Sequence, residues 1–140
     1  MRSKLTYCCQ LWRPDTIKDI TLLERIQRRA TKYILNDFNS DYKYRLQSLN
    51  LLPLMHYLEL LDILFVIKSI QHPSDSFNIL NHITFASGST RSSTLNKLKL
   101  NYRRTSNTRH QYFNRIVLLW NALSPIDLLK PLSSIKKYIL

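Results

Sequence analysis

At 140 residues and 44% hydrophobic content the chain is about one domain long, with apolar side chains for one modest core. Twenty-one Lys and Arg against nine Asp and Glu give a net charge of +12 and a pI near 10.0, so the balance points to an anionic partner. Nucleic acid, an acidic protein or an anionic membrane surface all satisfy that sign, whereas a single glycine excludes a glycine-rich phosphate loop.

In chain order, Leu5, Cys8, Cys9 and Trp12 mark a short helix from Lys4 to Trp12, closed by Pro14. It follows Met1 with no capping lead-in and reads as a helix entered partway along. Cys8 and Cys9 are the only cysteines; with no CxxC or Cys/His spacing they suit small apolar helix positions in a reduced compartment, and no metal site is expected. Arg2 and Lys4 lead into polar sequence, so no secretion signal is expected; beyond "not secreted" the location stays open.

The second helix, about residues 16–35, sorts its side chains by chemistry. Lys18, Arg25, Arg28, Arg29 and Lys32 share an arc of roughly 100°. Ile20, Leu22, Leu23, Ile26, Ala30, Tyr33 and Ile34 cover the other side, and Glu24 is the one acid at the edge of the basic face. Asp15 or Thr16 is expected to cap the first turn, with Asp19 near the positive end of the dipole. A face with five cations is either a well-solvated surface or a phosphate contact.

A turn at residues 36–40 precedes a short segment, YKYRLQSLNL, capped by Asp41. Pro53 opens the longest apolar helix, about 54–70, whose hydrophobic residues point nearly all round. Such a helix is either central to a core or packed against a partner outside the chain. His56, Glu59 and Asp62 interrupt the apolar run from Leu51 to Ile67, which excludes a membrane-spanning helix and leaves no membrane partner expected. Residues 72–91 look loop-like, and Leu95 to Tyr102 alternates as an edge strand or one arm of a hairpin would. HQYFNRIVLLWNAL then returns to helical period, with Phe113, Ile116, Trp120 and Leu123 in one stripe, and a last short helix is expected over SSIKKYIL. The expected architecture is mainly α: a small helical domain with a basic loop, and a possible β-hairpin, between the helical halves. Its parts are residues 1–71, a basic connector over 72–108 and a C-terminal helical segment over 109–140.

No acidic residue lies between Asp75 and Asp127, whereas Lys97, Lys99, Arg103, Arg104 and Arg109 fall in that interval; Tyr102 beside them is suited to stacking on a base or to hairpin packing. A solvated surface normally mixes signs, so this run favours a polyanion. The candidate nucleic-acid contacts are therefore Lys18, Arg25, Arg28, Arg29 and Lys32 on the helix, with those five connector cations. Catalytic chemistry is not evident. The nine acids include no adjacent Asp-Asp pair, His56, His72, His82 and His110 lack metal-ligand spacing, and Glu59 with Asp62 reads as a solvated polar strip. The chain alone is not expected to be an enzyme, and no cofactor is expected.

Three segments carry a family likeness. LTYCCQLWRPDTIKDITLLERIQRRATKYIL resembles the stretch after the polymerase core of non-LTR (LINE-type) retrotransposon reverse transcriptases, through Leu5, Tyr7, Cys8, Trp12 and Pro14, then Lys18, Asp19, Ile20, Leu23, Glu24 and Ile26 to Lys32. YRLQSLNLLPL is similar to the family's turn into its next helix, at Arg45, Leu46, Leu49, Leu51 and Leu54, and YFNRIVLLWNALSP to its closing motif, at Phe113, Arg115, Trp120, Asn121 and Leu123. Pro125 is displaced by one residue, with Ser124 at the family's proline position. The resemblance implies the C-terminal region of an RNA-directed DNA polymerase, with the catalytic carboxylates and any endonuclease domain N-terminal to Met1. It further implies that the region helps to hold template RNA and target DNA, with the polymerase core as intramolecular partner, in nucleus or cytoplasm. Two alternatives remain: a stand-alone helical protein-interaction module docking through the 54–70 helix, and a fragment of a decayed element with no cellular function.

Overall fold

Local chemistry sets the helix ends. Thr16 caps the helix Ile17–Leu35: its hydroxyl accepts the Asp19 amide at 3.2 Å and donates to the Asp19 carboxylate at 2.7 Å. Asn36 stops it in the left-handed region at φ 49°, a conformation asparagine tolerates, and the amides of Asn36 and Asp37 close the last turn onto Tyr33 and Lys32. Asp37 Oδ1 then accepts the amides of Asn39 and Ser40 at 3.1 and 3.0 Å, which folds the expected turn. Asp41 stands at the next N-cap, although its carboxylate makes no capping bond.

The computed structural model describes residues 2–14, 16–73, 78–86, 97–100 and 112–123. In chain order it contains α1 (Arg2–Thr6), α2 (Cys9–Trp12), α3 (Ile17–Leu35), α4 (Tyr42–Ser48), α5 (Leu54–Gln71), a 3-10 turn (Ile79–Asn81), β1 (Ile83–Phe85), β2 (Leu98–Leu100) and α6 (Tyr112–Ala122). Over the described residues the chain is mainly helical with one small antiparallel sheet, as the periodicity indicates. It divides into two compact units, residues 1–59 and 60–140, and the division falls inside α5. The expected helix over SSIKKYIL lies outside the described residues.

In the first unit the helix expected from Lys4 to Trp12 breaks at Cys8, where φ is 49°. The Tyr7 carbonyl freed by the break accepts the Trp12 indole N–H at 2.7 Å. The larger departure concerns α3. Its buried side chains are Gln27 and Thr31, while Leu22, Ile26, Tyr33 and Ile34 of the apolar side are exposed. The cause is polar. α4 packs along the flank of α3 that carries Glu24, Gln27 and Thr31, and those side chains are tied to α4 and to the segment entering α5 by hydrogen bonds. Buried polar groups must find such partners, and here the partners dictate which side turns inward.

The second unit has the apolar core. Ile63, Val66 and Ile67 of α5 pack with Ile79, Ile83, Leu98 and the Ile116, Val117 and Trp120 stripe of α6. The all-round apolar helix is thus a core element: Leu54 and Leu58 are buried in the first unit, and Leu60, Ile63, Val66 and Ile67 in the second. The sheet corrects the loop reading of residues 72–91. β1 comes from that stretch and pairs with β2 in the register Ile83↔Leu100, Thr84↔Lys99 and Phe85↔Leu98. A three-residue strand is too short for alternation to reveal it. Leu98 lies between two rungs of the ladder with its amide and carbonyl turned away from β1. There the side-chain amide of Asn121 takes both, accepting from the Leu98 N–H at 2.9 Å and donating to its C=O at 3.0 Å.

Glu59 and Asp62 do not form a solvated strip. Asp62 is fully buried and pairs with Arg115 of α6 at 3.4 Å, while Tyr112 donates to the Asp62 carbonyl at 3.0 Å. Glu59, in the first unit, pairs with the buried Arg13 at 3.6 Å and with His56 at 3.2 Å. One helical turn therefore carries two carboxylates, each committed to a different structural arginine.

Candidate functional site

Four of the five predicted helix cations converge. Arg25, Arg28, Arg29 and Lys32 recur at intervals of three or four along α3 and line one side of an open cleft of about 780 Å³. Arg45 of α4 and the turn at residues 38–41 line the rest. Lys18 is exposed on the first turn of α3 and does not line the cleft.

Two polar clusters hold this arrangement. In the first, the Tyr42 hydroxyl donates to Glu24 Oε1 and accepts from Gln27 Nε2 at 2.9 Å. Glu24 Oε2 accepts the Leu54 amide at 2.9 Å, and Gln27 donates to the Leu52 carbonyl at 3.0 Å. One carboxylate thereby joins α3 to α4 and caps the start of α5 from outside. In the second, the buried Arg45 donates to the Ser40 carbonyl and to Thr31 Oγ1 at 3.4 Å, so its charge is fixed under the turn. The Ser40 hydroxyl and amide hold the Asp37 carboxyl below its ordinary value, with a smaller contribution from Arg45.

The electrostatics favour an anion. Glu24 is engaged with Tyr42 and Leu54, and among the described residues none of Arg25, Arg28, Arg29 and Lys32 forms an ion pair. Like charges three or four residues apart on an exposed helix face destabilise it by about 0.2–0.5 kcal/mol per pair, less as salt rises. A bound polyanion would offset that cost. The Arg28 guanidinium lies 4.7 Å above the centre of the Tyr42 ring, which holds it at the cleft edge.

Burial, and then the hydrogen bond to Glu24, push the Tyr42 phenol up from 10.0 to about 12. Because the folded-state value lies above the unfolded one, the stabilisation is fully present below pH 10 and is lost as pH rises toward 12. Tyr42→Phe should therefore be less stable than the parent at about pH 9, and the difference should shrink as pH approaches about 12, as urea midpoints at both pH values would reveal.

A second concavity, of about 610 Å³, adjoins the cleft and shares Arg28 and Tyr42 with it. Ile20, Leu46, Leu51, Pro53 and Met55 give it a mostly apolar lining. Among the described residues no cluster of His, Cys, Asp and Glu is suited to a metal ion, and no helix is long and apolar enough to cross a membrane.

Lys99 is exposed on β2 and Lys97 half-buried just before it, both in the second unit. Arg103, Arg104, Arg109 and Tyr102 lie outside the described residues. Helical spacing missed the roles of Tyr42 and Arg45, which come from α4. Their signal was faint: an Asp37-Phe38-Asn39-Ser40 turn that folds α4 back beside α3. Comparison with protein-family models, with curated proteins and with solved structures finds no match to this chain.

Proposed function

We propose that this chain is a nucleic-acid-holding region of the kind that follows the polymerase core in non-LTR retrotransposon reverse transcriptases, with the DNA-synthesis chemistry belonging to that core. The supporting observation is the convergence of Arg25, Arg28, Arg29 and Lys32 with Arg45 around one cleft, five cations against the single lining acid Asp41. Phosphates of template RNA or target DNA are the ligand such a cleft suits, and Lys18 extends the same basic face toward the start of α3. The alternative of a docking module working through α5 is disfavoured, because Leu54, Leu58, Ile63, Val66 and Ile67 are buried.

The test is a salt titration. Fluorescence anisotropy of a labelled RNA or DNA single strand should give log K falling against log salt with a slope of about −3, as four phosphate contacts release their counterions. Affinity should drop about fiftyfold to sixtyfold between about 50 and about 200 mM salt. Absence of binding, or binding indifferent to salt, would remove the proposal.

A further inference from the structure

The basic cleft and the apolar groove are separate concavities that meet at one pair of side chains, Arg28 and Tyr42. Their linings differ in kind: cations on one side, and Ile20, Leu46, Leu51, Pro53 and Met55 on the other. A nucleotide has the same division, a charged phosphate at one end and a flat, largely apolar base at the other, joined by a sugar that spans about one side chain. The guanidinium between the two spaces is the group that accepts a stacked base, since its plane packs on aromatic rings and its carbon already lies 4.7 Å from the centre of the Tyr42 ring.

We infer that the groove takes an unstacked base of a single-stranded nucleic acid whose phosphates lie in the cleft, which makes the site selective for single strands over duplex. The inference rests on the proposed nucleic-acid reading and adds a second compartment to it. Charge favours this occupant: Arg28 and Lys43 line the groove, and its one acid, Glu24, is turned to Tyr42 and Leu54. In a duplex the bases are stacked and paired inside the helix, so only the phosphates reach the protein, and the groove stays unused.

The experiment compares two labelled strands of equal length and charge, thymidine or abasic at every position, each of about a dozen nucleotides. The thymidine strand should bind about tenfold more tightly, the contribution of one well-stacked base. Ile20→Gln and Met55→Gln should bring that ratio toward one while leaving affinity for the abasic strand and the helical circular dichroism unchanged. Both side chains are only partly buried, so neither change threatens the fold. Equal affinities for the two strands would overturn the inference and leave phosphate binding in place. Failure of both strands to bind would overturn the nucleic-acid reading with it. Equal competition by a polyglutamate peptide would show that charge alone is read, which also overturns the inference.

Discussion

Asp62→Leu should destabilise the 60–140 unit by about 3–5 kcal/mol, because it strands the Arg115 charge against the core. Arg115 is 10% exposed at its side chain and Asp62 is 0% exposed, so neither charge can turn to water for compensation. The attraction between them is not the main quantity at stake. Removing both ions together leaves nothing uncompensated, so Asp62→Leu with Arg115→Met should recover most of the loss. Urea unfolding of the parent, the two single variants and the double variant measures the cycle. Small domains are stable by roughly 5–15 kcal/mol, so the single Asp62 variant should sit near the edge of folding at 25 °C. Equal losses from the single and double variants would mean that the pair stabilises in its own right.

The largest effect on binding is expected from Arg28→Ala, Arg29→Ala and Lys32→Ala combined. Each lost phosphate contact removes about 0.7 from the salt slope for a single strand, so the slope should flatten by about 2. Affinity at low salt should fall about a hundredfold. Stability should move the other way or not at all: alanine favours helix, and removing three like charges relieves repulsion along α3. Lys68→Ala, at an exposed position of α5, should leave the slope unchanged. A triple variant that keeps both affinity and slope would place the contacts elsewhere on the chain.

The opposed signs of those two expectations match what could and could not be foreseen from the residues. The cations of α3 were legible because a helix imposes its period on any side chain, and positions 25, 28, 29 and 32 fall together whatever surrounds them. Burial was not legible from the same helix. Apolar periodicity favours turning Leu22 and Ile26 inward, but Gln27 and Thr31 face α4 because Tyr42, Arg45 and the Leu52 carbonyl offer them hydrogen bonds. Those partners stand 14 to 25 positions away along the chain, beyond the reach of any local pattern. The burial of Asp62 is hidden from the sequence for the same reason: its partner Arg115 belongs to α6, and only the packing of α6 on α5 compensates a carboxylate at that point. The core stripe of Ile116 and Trp120, by contrast, needed no distant information.

Asn121 has a consequence for how the molecule meets others of its kind. A two-stranded sheet has an outer edge at β2, where an unoccupied amide and carbonyl would form a template for a strand from another chain. The side-chain amide of Asn121 satisfies both groups of Leu98 and ends the ladder there. It does so without adding a third strand, which would create an outer edge of its own. A single carboxamide thus closes the β2 edge to a further strand at Leu98.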